Sequence, residues 1–306
     1  MPLNFKGLGV LKVKRLFTTA IILLILNISG VFGNNDFSDR EYHEHIKNIK
    51  VYDKNQTVTL SKPFVIITNI TSKSIKQDNI DMVQFAIKTL KKLFFTKNPN
   101  SIIDIWIFKD RESFINFNHR ELNSTSRDDV AGYYMKDKNM LVLDIQTGIG
   151  TIIHEMVHAF MDSNFPQAPS WFDEGLASLY EGTISNGEYL IGDLNWRLPI
   201  LKATIRANRL ISFKELMDYN VSEFYSEDRV SINYAHARYL LYYLQNRDLL
   251  VDYYREFSTN FKDDPTGYKS LKKILKVEDM DKFTKEWKEY ILKLEDWEHY
   301  LKRIIQ

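Results

Sequence analysis

Residues Thr151 to Asp162 read TIIHEMVHAFMD, and within this string His154, Glu155 and His158 stand in the pattern HExxH. On a helix, positions four apart lie on one face, so the two imidazoles can reach a single ion while the glutamate between them stays adjacent to it. With 7 His and 17 Glu in 306 residues, chance placement produces this spacing in about one such chain in a hundred. The chemistry open to the set is water activation. A bound cation lowers the pKa of water, and a carboxylate takes the proton and passes it to a leaving group. The competing reading is a surface cluster on an ordinary amphipathic helix. Against it stands the apolar stripe of Ile149, Ile152, Ile153, Met156, Val157 and Phe160, which would bury the helix.

A zinc site needs a third protein ligand and an open position for water, and with no cysteine in the chain that ligand must be His, Asp or Glu. The best-placed candidates lie in Ser170 to Glu181, SWFDEGLASLYE. Pro166 and Pro169 end the motif helix and force a loop, after which Ser170 can cap a second helix. Its first turn carries Asp173 and Glu174, which point about 100° apart, so only one should face the ion. Glu174 is the expected ligand and Asp173 the expected cap residue. The expectation is one Zn²⁺ per chain on His154, His158 and Glu174. Ser178 and Asp144 are candidates to orient a ligand imidazole.

HEMVH followed by WFDEGLA resembles the gluzincin branch of zinc peptidases, especially the peptidase MA-like families with a W-x-x-EGLA element. The likeness spans roughly residues 60 to 300 and is strongest from 130 to 245. It implies zinc ligation by His154, His158 and Glu174, with Glu155 as general base and a peptide or protein as substrate. It also implies an oxyanion stabiliser from a helix beyond Glu174, for which Tyr234 in INYAHARYLLYYL is the candidate and His236 the weaker one. The 15 residues between His158 and Glu174 are fewer than in the best-known gluzincins, which adjusts the subfamily rather than the chemistry. Two other readings stay open: a zinc-binding or protein-binding module without turnover, and a zinc amidase acting on a non-peptide or cell-wall amide.

The elements that must position these groups divide the chain into two halves. Phe64 to Ile70 and Ile102 to Phe108 are β-branched and aromatic runs of strand length, with helical spacing from Ile80 to Phe95 between them. A strand pair is expected at Ala131 to Met135 and Met140 to Ile145, the second forming a substrate-facing edge beside the motif helix. Beyond Thr147 the pattern is helical, with helices at 171–181, 195–207, 212–219, 230–246 and 279–303 and loops at 182–195 and 219–229. The expected class is α+β. With the resemblance it is zincin-like: a small mixed sheet with helices, then the active-site helix, then a mainly helical C-terminal half.

With 44% hydrophobic residues the chain can bury a sizeable core. Lys6, Lys12, Lys14 and Arg15 precede an uncharged stretch, and Val31 and Gly33 provide small residues for cleavage, so residues 1–33 read as a signal peptide. Residues 34–60 then form an N-terminal extension and 61–306 the main domain. The expectation is an exported protein, periplasmic or secreted, membrane-anchored through residues 16–35 only if the leader stays. Without the leader, 37 basic residues face 40 acidic ones, which argues against nucleic acid as a partner. The His43, Glu44 and His45 cluster reads as a polar segment rather than a second metal site, and the charge pattern from Lys282 to Arg303 as a solvated helix face.

Overall fold

The computed structural model describes residues 36–50, 55–122, 130 and 132–305, so the leader expected at 1–33 and Ala131 lie outside the described residues. In chain order, α1 (Asp39–Asn48) precedes the hairpin β1 (Thr57–Ser61) and β2 (Phe64–Thr68), and α2 (Lys73–Leu93) crosses over to β3 (Ile103–Phe108). Next, α3 (Arg111–Glu121) leads to a second hairpin, β4 (Gly132–Met135) and β5 (Met140–Asp144). The sheet order is β1-β2-β3-β5-β4, with the inner three strands parallel and the two outer ones antiparallel to their neighbours.

Side chains alternate across a sheet, and here both faces are covered. Ile66, Ile105, Ile107, Leu141 and Leu143 face a large core with α2 and the helical half. Val65, Ile67, Trp106, Phe108 and Val142 face a second core that receives Tyr42 from α1 and Phe114 and Phe117 from α3. The 34–60 segment therefore contributes α1, held by a capping box between Ser38 and Glu41, and most of β1.

Met140 to Asp144 is not the sheet edge expected from sequence: β5 sits between β3 and β4, and β4 is outermost. Four of the five residues of β5 are buried, as in an interior strand covered on both faces.

The C-terminal half is helical, the α+β arrangement expected. α4 (Ile149–Asn164) and α5 (Ser170–Leu179) precede a small hairpin, β6 (Thr183–Ser185) and β7 (Leu190–Gly192), inside the expected loop. Then come α6 (Leu198–Arg206), α7 (Phe213–Asp218), α8 (Val221–Phe224), α9 (Val230–Gln245), α10 (Leu250–Asn260), α11 (Tyr268–Leu275), α12 (Met280–Lys293) and α13 (Trp297–Ile305). The single helix expected at 279–303 is two. The buried Lys202 ammonium donates to the Leu294 carbonyl and to Asp296, which holds the break open between α12 and α13.

α4 lies against β4 and β5, where Phe160 packs edge-on to Phe64 and stacks on Phe95 at 5.3 Å. Truncating so buried an aromatic would cost about 3–5 kcal/mol. α5 lies across both α4 and α9. Its approach to α9 depends on Gly175, where a Cβ would stand 3.1 Å from that of Ala237. Among the described residues no helix is long and apolar enough to cross a membrane.

Candidate metal centre

The apolar stripe of α4 sinks Ile152, Ile153, Met156, Val157 and Phe160 into the core, which turns His154, Glu155 and His158 toward a cleft between the two halves. The loop through Pro166 and Pro169 brings α5 back across α4. Pro169 is its N-cap and Ser170 its first residue, so Ser170 does not cap as expected. The Trp171 indole donates to the Thr266 carbonyl and fixes the first turn.

Nε2 of His154 and Nε2 of His158 are 3.1 Å apart, and Oε2 of Glu174 lies 3.4 Å from the first and 3.6 Å from the second. Ligand atoms at about 2.0–2.2 Å from a tetrahedral ion stand about 3.3–3.6 Å from one another, so the two edges to Glu174 match one face of such a site and the 3.1 Å edge between the imidazoles is slightly shorter. Oε2 of Glu174 is buried and makes no hydrogen bond. A buried carboxylate oxygen left without a donor beside two imidazole nitrogens is a donor set suited to a cation. The residues therefore fit a metal, and among the described residues no other group of three His, Asp or Glu is placed to hold one.

The far side of each imidazole faces a carboxylate. Asp173 Oδ1 is 2.9 Å from Nδ1 of His158, and Glu181 Oε1 is 3.0 Å from Nδ1 of His154, somewhat off the line of the ring N–H. A hydrogen-bonded carboxylate fixes ring orientation and leaves Nε2 as the donor to a metal, as Asp173 does for His158, while Glu181 stands beside His154 Nδ1. These two carboxylates displace the two candidates drawn from sequence. Asp144 instead accepts from the backbone N–H of Gln146, and Ser178 is buried with its carbonyl accepting from Arg238. Asp173, expected as a cap residue, makes no side-chain cap and faces His158 instead. Glu181, beyond the end of α5, was signalled only by the final letter of SWFDEGLASLYE.

The electrostatics run the same way. Burial opposes a charge on His154, but the carboxylates of Glu174 and Glu181 outweigh it and raise the imidazole to about 9. Burial also opposes charge on His158, where Asp173 and Glu174 prevail and hold it well above its ordinary value. Against its own burial, the two imidazoles keep Glu174 well below the usual carboxylate range. Glu181, opposed by burial but paired with His154 and Arg197, falls to about 2. The pocket concentrates negative charge and stabilises positive charge between the rings, where protons and a cation compete.

Glu155 lines this cleft with Tyr133, Tyr134 and Lys136 from the sheet edge and Tyr234 from α9. The Tyr234 phenol is pushed up by burial and by the charge of Glu174. Tyr225, which the sequence reading missed, donates its hydroxyl to Oε1 of Glu174 at 2.5 Å. It follows α8, in a segment expected to be loop, and only its tertiary position marks it. His236 is elsewhere: it is buried between Phe213 and Trp287, with ring centroids at 4.8 and 5.3 Å. In α1, His45 pairs with Asp104 at 2.7 Å and His43 meets the Asp39 carbonyl.

No curated protein matches the chain. A family model described as a protein of unknown function (DUF1570) matches residues 148–262, the span from the start of α4 to just past α10 that carries His154, Glu155, His158, Glu174, Tyr225 and Tyr234.

Proposed function

We propose that the protein is a zinc-dependent peptidase of the gluzincin type, exported by the leader read in residues 1–33 and acting on a peptide or protein. The observation that carries this reading is the triangle of His154 Nε2, His158 Nε2 and Glu174 Oε2 with Glu155 in the same cleft. A ligand set made of nitrogen and oxygen alone, two of it imidazole, suits zinc.

A bound Zn²⁺ supplies Lewis acidity, which polarises the scissile carbonyl and makes water a nucleophile near neutral pH. Glu155 accepts the proton of the attacking water and returns it to the departing amine nitrogen. The Tyr234 hydroxyl, held protonated, donates to the oxygen that becomes negative as water adds. The substrate chain pairs with β4, the outermost strand, whose Tyr133 and Tyr134 line the cleft, rather than with β5.

The test is the zinc content of the purified protein together with cleavage of a peptide library by wild type and by Glu155→Gln. One zinc per chain and cleavage by wild type alone is the expected result. Zinc without peptide cleavage would turn the reading toward a non-peptide amide or a module without turnover. Absence of zinc would overturn it.

A further inference from the structure

Arg197 stands at the N-cap of α6, outside the motif region, yet it touches both Glu181 and Tyr234. Its Nη2 donates to Oε1 of Glu181 at 2.8 Å and its Nε to Oε2 at 3.1 Å, a two-point grip that sets the plane of the carboxylate. Oε1 is the oxygen that stands 3.0 Å from Nδ1 of His154. The guanidinium carbon also lies 4.8 Å above the Tyr234 ring, within cation–π range. One side chain thus bears on a metal-ligand imidazole and on the candidate oxyanion donor.

Both ends of this link are fixed by the fold. The backbone carbonyl of Glu181 sits where a Cβ on Gly150 would come within 1.9 Å, so the absence of a side chain one turn before His154 lets Glu181 lie against α4. The segment before Arg197 is tied to α9: the buried Arg238 donates to the Asp193 carbonyl, and the Asn195 N–H donates to the Tyr239 hydroxyl. The Arg197 N–H donates in turn to the Asn195 side chain. Arg197 is therefore presented by pinned backbone, and its side chain is 19% exposed.

We infer that Arg197 is a positioning residue for the metal cleft, orienting His154 through Glu181 and holding the Tyr234 ring in place. A lysine would keep the charge but lose the fork, so it cannot fix the carboxylate plane. The half of the inference that concerns His154 rests on ligand geometry alone. The half that concerns Tyr234 rests on the peptidase reading.

The experiment compares wild type, Arg197→Met, Arg197→Lys, Glu181→Gln and the Arg197→Met/Glu181→Gln pair. Zn²⁺ affinity is measured by chelator competition, and the site geometry by the absorption spectrum of the Co²⁺-loaded protein. Arg197→Met should bind Zn²⁺ about 10–100-fold more weakly with an altered Co²⁺ spectrum, and Arg197→Lys should fall between it and wild type. Because Arg197 acts through Glu181, the double variant should bind no more weakly than Glu181→Gln alone. Additive losses, or wild-type affinity and spectrum in Arg197→Met, would overturn the inference. Should Arg197→Met not fold, wild-type values in Arg197→Lys would overturn it equally.

With a cleaved peptide in hand, Arg197→Met should lower kcat further than Glu181→Gln does while KM stays within about twofold. Equal kcat losses would remove the Tyr234 half. A chain that binds Zn²⁺ as expected but cleaves no peptide would sink the peptidase reading and leave the His154 half standing.

Discussion

Asp173 Oδ1 lies 2.9 Å from Nδ1 of His158, while Glu174, the next residue, faces Nε2 of the same ring from 3.6 Å. Two adjacent carboxylates on one helix turn therefore address opposite ends of one imidazole. The roughly 100° between neighbouring helical side chains, which turns Glu174 toward the Nε2 side, sends Asp173 behind the ring.

From this arrangement Asp173 is expected to tune metal affinity. Asp173→Asn should weaken Zn²⁺ binding about 10–100-fold without unfolding the chain, since an amide oxygen at the same place accepts a weaker hydrogen bond. Chelator competition checks this. Affinity unchanged from wild type would show that the contact does not orient the ring.

Tyr234→Phe separates metal binding from turnover. Zinc content should stay at the wild-type level, while kcat on a cleaved peptide should fall by about 10²–10³, the usual cost of losing one oxyanion donor. A drop in zinc content with unchanged kcat would reassign the tyrosine to the support of Glu174.

At Gly150 the space is decisive. A methyl group there would stand 1.9 Å from the Glu181 carbonyl oxygen, so Gly150→Ala must displace the backbone after α5. Overpacking of this kind costs about 1–3 kcal/mol or more, and here it also carries Glu181 away from His154. Thermal unfolding should show a lowered Tm, and zinc affinity should fall with it. A variant with wild-type Tm and affinity would contradict the close approach.

His236 predicts how stability responds to acid. Burial between Phe213 and Trp287, with Lys288 adding a like charge, lowers its pKa to about 3 from an ordinary value of 6.5. Between those values the unfolded chain binds the proton and the folded chain does not. Stability from this group is thus complete above pH 6.5 and lost as pH falls, with a slope approaching about 1.4 kcal/mol per pH unit. Urea unfolding at pH 7 and pH 5 should show a larger loss in wild type than in His236→Leu. Equal losses would mean that the ring is charged or hydrated in the fold.

How much of this was legible in the sequence follows the range of each signal. HExxH and the stripe beside it depend on neighbours three and four apart, and they marked α4, its buried face and two candidate ligands. The runs FVIIT and IDIWIF, rich in β-branched and aromatic residues, marked strands. α1 and α3 went unread because their ends are set by Ser38 and Asp110 caps while their apolar content is sparse. The edge strand was misplaced by one because a hairpin shows two strands but not which of them finds a further neighbour.

The sequence by itself determined that two imidazoles and a glutamate lie together on one helix, that cysteine has no part in the site, and that Glu174 follows on a second helix. These are matters of residue type and helical period, which act over a single turn of chain. Only the tertiary structure decided that Asp173 and Glu181 stand behind the imidazoles and that Tyr225 reaches Glu174 from 51 positions along the chain. It also placed Arg197 against Glu181 and Tyr234 and sent His236 into the core. Those contacts join groups far apart in sequence, and their distances follow from how α5, α6 and α9 pack against α4, which no local pattern encodes.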